Sequence, residues 1–136
     1  MNTDTLSAPL PAPRRIGRRI LAVFAGLLAN AIPASAIDAV LHATGVFSPV
    51  GARMSDGLFL LALSYRLVLG VAGSYLTARL APDRPMQHAL ALGGVGVLLG
   101  LAGTVAFWNL GPAWYPLALV ALTMPCAWLG GRLGQR

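Results

Sequence analysis

The sequence has very little charge. Only 10% of its 136 residues are charged, and neither Lys nor Glu occurs. A soluble domain carries about 25% charged residues, so this chain has too few polar groups to cover a soluble fold. Cysteine is scarce as well, and because Cys126 is the single one, an intrachain disulfide is excluded.

The sequence is instead rich in apolar residues: 57% are hydrophobic, and the mean hydropathy is +0.71. The net charge of +6 would suggest nucleic acid in a soluble protein. Here the Arg residues flank long apolar runs, which indicates membrane orientation and gives no support for nucleic acid as a partner. The lipid bilayer is therefore the expected partner.

Four apolar stretches follow a Pro-rich segment at 1–15, which we interpret as a mobile cytoplasmic tail. They lie at about 16–42, 57–81, 86–108 and 113–133. Each supplies the ~20 residues that a helix needs to cross the hydrocarbon core. Because backbone polar groups must be satisfied inside the bilayer, each is predicted to be helical. The predicted fold is an all-α transmembrane four-helix bundle occupying 16–136.

The Arg positions predict the orientation of the four spans. With the N-terminus in the cytoplasm, eight Arg lie on the inner side and only Arg53 on the outer side. The eight are Arg14, Arg15, Arg18, Arg19, Arg79, Arg84, Arg132 and Arg136. The positive-inside rule then places both termini in the cytoplasm. The use of Arg and Asp alone for charge, together with 16 Gly and 10 Pro, is typical of a GC-rich bacterial coding sequence, so we expect a multi-pass protein of a bacterial inner membrane. A cleavable signal peptide ending near 33–36 is an alternative interpretation of the first span.

Small residues recur along one face of the third span. Gly93, Gly96, Gly100 and Gly103 follow Ala89 at spacings of three and four, which lets another helix approach closely. We favour packing against a neighbouring span of the same chain. A homo-oligomer through the third span is the alternative.

Two charges have no explanation in topology. Arg66 lies about nine residues into the second span, roughly 13 Å deep, where Arg is costly. Asp38, near the outer end of the first span, is the only other charge at a comparable depth. A short loop joins the two spans, so we predict an Asp38–Arg66 ion pair, either structural or part of a substrate or ion site.

His42 lies four residues after Asp38 and therefore on the same helix face. Together, Asp38, His42 and the loop residue Asp56 would offer a weak metal-binding set, but we favour an interfacial hydrogen bond and assign no metal. No Ser–His–Asp set, paired carboxylates or Cys–His pair is present at a recognisable spacing. The sequence thus predicts neither an enzyme nor a cofactor.

Several short motifs accompany these residues along the chain. They are Asp38-x-x-x-His42-x-x-Gly45, Tyr65-Arg66, Ala78-Arg79-Leu80-Ala81-Pro82, Pro85-Met86-Gln87-His88-Ala89, Trp114-Tyr115-Pro116 and Pro125-Cys126-Ala127-Trp128-Leu129-Gly130-Gly131. Over most of 16–133 the sequence resembles a family of small, uncharacterised four-span bacterial membrane proteins. That resemblance implies an integral membrane protein and transfers no catalytic residue.

Two functions follow from these observations. The first is a non-catalytic integral membrane protein with a structural, accessory or assembly role, which needs only packing and topology. The alternative is a small proton-coupled transporter that uses Asp38 and Arg66. Small multidrug exporters are similar in size and span number, but they typically use a Glu in the first span, which this chain lacks.

Overall fold

The computed structural model describes residues 12–49, 52 and 54–135, and these form four long helices. In chain order they are α1 (Ala12–Ala43), α2 (Asp56–Leu80), α3 (Pro85–Ala106) and α4 (Trp114–Gly134), with a short 3₁₀ turn at Trp108–Leu110. No strand occurs in the described part of the chain. The predicted all-α four-helix fold is therefore confirmed, with α1 beginning four residues earlier than predicted. The tail at 1–11, Arg53 and Arg136 lie outside the described residues.

All four helices are long and apolar enough to cross a membrane, as a multi-pass membrane protein requires. Their surface is apolar as well: Val105 is 82% exposed, Leu98 69% and Val68 68%. The buried positions are instead mostly Ala and Gly. Small residues inside and branched apolar residues outside are expected of helices that pack together in lipid.

Local sequence sets the helix ends. Ser55 caps α2, where its side chain accepts a hydrogen bond from the Leu58 backbone N–H at 3.4 Å. Pro85 opens α3, a position at which its missing N–H leaves no helical hydrogen bond unmade. Arg84, just before it, adopts a left-handed backbone with φ +42°. α1 continues through Pro33 and α4 through Pro125.

α2 makes the most extensive contacts in the bundle, since it packs closely against both α1 and α4 and also contacts α3. It meets α1 at a pair of glycines, where a Cβ on Gly73 would lie 2.6 Å from the Gly26 carbonyl oxygen. Next to this crossing, the fully buried Thr77 hydroxyl donates to the Ala22 carbonyl oxygen at 2.9 Å. The helices approach closely because neither glycine carries a side chain.

Glycines of α4 likewise allow that helix to approach α2 closely. A Cβ on Gly130 would lie 2.7 Å from Cβ of Ser74 on α2, and a Cβ on Gly134 would lie 2.7 Å from Cβ of Ala78. α3 packs mainly on α4 and has a smaller contact with α1. Within the described residues no Cα of α1 lies within 8 Å of a Cα of α4, which leaves room between the two helices.

Candidate functional site

The predicted ion pair lies between the first two helices. Asp38 is five residues before the end of α1, and Arg66 is ten residues after the start of α2. Because α1 and α2 are consecutive, antiparallel and packed together, these positions reach the same level. One guanidinium nitrogen of Arg66 (Nη2) donates to Oδ2 of Asp38.

The second oxygen of the Asp38 carboxylate also has a partner. The Tyr65 hydroxyl donates to Oδ1, so both oxygens of Asp38 are bound by neighbouring residues of α2. We call Asp38, Tyr65 and Arg66 the polar cluster. Its two charges compensate each other, and the side chains of Asp38 and Arg66 are 27% and 33% exposed. Pairing offsets much of the penalty of placing either charge in the bilayer.

Arg66 has more hydrogen-bond donors than the cluster uses. Its Nε is buried and has no partner among the residues that the structure describes. A guanidinium carries five N–H donors and no acceptor, whereas the protein hydrogen bond found for it within the described residues is that to Asp38. The cluster is thus short of acceptors on the side of Arg66.

The polar cluster borders a cavity of about 600 Å³. The C-terminal halves of α1 and α3 face each other across it, and α2 and α4 complete the walls. Apart from Asp38 and Arg66 its lining is mainly apolar, and Tyr115, Trp108 and Leu99 take part in it. The cavity follows from the packing, because within the described residues the backbone of α1 approaches that of α3 but not that of α4.

His42, the third residue of the predicted polar site, does not reach the side chains of the other two. Its Nδ1 lies 2.8 Å from the backbone oxygen of Asp38, and its ring stands edge-on against Phe47 at 5.4 Å. The Asp56 carboxylate instead accepts a hydrogen bond from the Trp114 indole N–H at 3.3 Å. Within the described residues no three His, Cys, Asp or Glu side chains come together.

The glycines of the third span face α4 over most of their length. A Cβ on Gly93 would lie 2.6 Å from Cβ of Ala127 on α4. Added Cβ atoms on Gly96 and Gly100 would lie 2.9 Å from Thr123 and Val120 of the same helix. A Cβ on Gly103 would meet nothing within 4 Å, and Gly103 borders the cavity. Gly93, Gly96 and Gly100 are thus covered by α4 of the same chain. A homo-oligomer through the third span stays a prediction.

Sequence reasoning missed a second ion pair, at the other end of the bundle. Arg19 of α1 binds Asp83, in the turn between α2 and α3, through Nε at 3.1 Å and Nη2 at 2.5 Å. Hydrogen bonding from Arg19 holds the pKa of the Asp83 carboxyl below its usual value. In the sequence, Arg19 is explained as one of the Arg residues that orient the chain, and Asp83 as a polar residue of the turn between two spans. Nothing in the sequence therefore indicates a contact between them.

Sequence reasoning also did not assign Tyr65 to the site. It stands beside Arg66 in the chain, and that adjacency is the one signal that could have suggested it. A hydroxyl on an aromatic ring hardly alters the hydropathy of a span, so it does not stand out as a charge does.

Fold and site together define a class: a four-span helical membrane protein with a charge-balanced polar cluster beside an open cavity. No protein-family model matches the chain, and comparison with curated proteins and with solved structures finds no match.

Proposed function

We propose that this protein is a non-catalytic integral membrane protein with a structural, accessory or assembly role. The observation that carries the proposal is that both oxygens of Asp38 are bound by side chains of α2. A carboxylate held in this way fastens α1 to α2 and is poorly placed to act as a base. Placement in a bacterial inner membrane and membership of the four-span family belong to the same proposal.

A substitution at Asp38 tests the structural role. We expect Asp38→Asn to lower the free energy of unfolding in detergent by roughly 1–3 kcal/mol, because it leaves Arg66 without its counter-ion. Asp56→Asn is the matched control, since its carboxylate accepts one long hydrogen bond in an exposed position. Urea or SDS titration monitored by circular dichroism measures both variants. Equal stability of Asp38→Asn and the unsubstituted protein would contradict the proposal.

The cavity beside Asp38 favours one second candidate, a small proton-coupled transporter that uses Asp38 and Arg66. Such a transporter must release Asp38 from its partners in order to protonate it. Proteoliposomes that hold a pH-sensitive dye separate the two functions with tetraphenylphosphonium as the probe. Proton flux that depends on the probe and is lost in Asp38→Asn, but kept in Asp56→Asn, would establish transport.

A further inference from the structure

The cavity next to the polar cluster has the dimensions and lining of a small-molecule site. Its volume of about 600 Å³ falls within the ~300–1,000 Å³ that such sites occupy, most of them apolar with a few polar groups that fix the ligand. Here the charged groups are the side chains of Asp38 and Arg66, on the walls formed by α1 and α2, and uncharged polar side chains such as Asn30 also line the cavity.

The charges of the cluster determine what kind of molecule fits. Asp38 and Arg66 already compensate each other, so an anionic or cationic ligand would bring an unpaired charge into the bilayer interior, where it is costly. Arg66, however, makes one hydrogen bond within the described residues, from Nη2 to Asp38, and 33% of its side chain is exposed, so its exposed N–H groups have no acceptor there. A neutral molecule with an acceptor oxygen would supply the missing partner and add no net charge.

The position of the mouth indicates how such a molecule reaches the cavity. Ala31 and Ser35 of α1 and Leu99 of α3 are exposed, and all three border the cavity. They lie within the membrane-spanning segments, so the opening runs along the side of the bundle, where acyl chains surround it. It continues to the exposed Trp108 and Gly111, beyond the end of α3. A ligand would arrive by lateral diffusion through the bilayer.

We infer that this cavity binds a neutral lipophilic molecule that carries a carbonyl or similar acceptor oxygen, which receives a hydrogen bond from Arg66. The inference goes beyond the structural role proposed above and does not depend on it. An ester of a medium-chain fatty acid is the simplest molecule of this class, and its free acid differs from it chiefly in charge.

Trp108 borders the cavity and provides a reporter. In a Trp114→Phe, Trp128→Phe background it is the sole tryptophan, and a bromine atom nearby quenches its fluorescence. The probes are methyl 10-bromodecanoate, its free acid at neutral pH, and 1-bromodecane, which has no oxygen. Displacement by unlabelled methyl decanoate distinguishes a saturable site from partition into the surrounding detergent or lipid.

Two glycines of α3 form a matched pair of variants. A Cβ at Gly103 or at Gly94 would meet nothing within 4 Å, so at both positions a side chain starts into open space. Gly103 borders the cavity and Gly94 does not. Gly103→Leu therefore places a bulky side chain at the wall of the cavity, whereas Gly94→Leu adds the same side chain to a part of the helix that does not border the cavity.

We expect saturable quenching by the methyl ester, with a dissociation constant about tenfold or more below those of the free acid and of 1-bromodecane. Gly103→Leu should weaken ester binding by about tenfold or more, and Gly94→Leu by less than about twofold. Non-saturable quenching would overturn the inference, as would equal effects of the two Leu variants. Tighter binding of the free acid or of 1-bromodecane would overturn the assigned ligand class.

Discussion

At the scale of single residues, the charged side chains inside the bundle are tolerated because they form ion pairs. Asp38 and Arg66 lie within membrane-spanning segments and are only about one-third exposed or less, and they form a pair there. Tyr65 completes the coordination of the carboxylate. Arg19 and Asp83 pair at the other end of the bundle, where α1 meets the turn after α2. Each pair joins α1 to a later part of the chain, so side-chain chemistry acts directly on helix association.

The Arg19–Asp83 pair predicts a dependence of stability on pH. The pKa of Asp83 is lower in the folded protein than in the unfolded chain because Arg19 donates hydrogen bonds to it. The contribution of the Arg19–Asp83 pair to the free energy of unfolding is therefore complete above the pKa that Asp83 has in the unfolded chain. It is lost as the pH falls through the pKa that Asp83 has in the folded protein. Unfolding of the wild type and Asp83→Asn across acidic pH measures this. We expect the wild type to be more stable than Asp83→Asn near neutral pH and the two stabilities to converge in acid. A difference in stability that grows in acid would contradict the assignment.

At the scale of helices, small residues set how closely the spans approach. Gly26 faces Gly73 at the α1–α2 crossing, and Gly130 faces Ser74 at the α2–α4 crossing. Apolar side chains gain little by leaving lipid for the interior of a bundle, so close van der Waals contact and short polar bonds drive association. The hydrogen bond from Thr77 to the Ala22 carbonyl oxygen is one such bond.

Glycine substitutions test this dependence. A Cβ on Gly73 would lie 2.6 Å from a backbone oxygen of α1, which cannot move aside as a flexible side chain does. We expect Gly73→Ala to destabilise the bundle by roughly 1–3 kcal/mol. Gly94→Ala is the control, because it faces open space and gains up to about 1 kcal/mol in helix propensity. Denaturant titration in detergent compares them, and equal stabilities would show that the crossing is looser than described.

At the scale of the whole molecule, the sequence was sufficient for the architecture and for one of the two ion pairs found in the described part of the chain. Hydropathy and span length are local properties, so the four helices were predicted to within a few residues. Asp38 and Arg66 were predicted to pair because charges inside consecutive spans need partners. The cavity depends on how α1 packs against α3, and the Arg19–Asp83 pair depends on how α1 meets the turn after α2. No local sequence pattern encodes either arrangement.

Orientation in the membrane is a property of the whole chain and stays a prediction from its Arg distribution. Two reporters fused to the C-terminus measure the orientation directly. Green fluorescent protein reports a cytoplasmic C-terminus, and alkaline phosphatase reports a periplasmic one. We expect fluorescence without phosphatase activity, since eight Arg flank the predicted inner side. Replacing Arg14, Arg15 and Arg18 with Gln leaves Arg19 free to bind Asp83 and should shift part of the population to the opposite orientation. The Lys variants of the same three positions keep the charge and should behave as the wild type. If the Gln and Lys sets give the same readout, the N-terminal Arg residues do not determine the orientation.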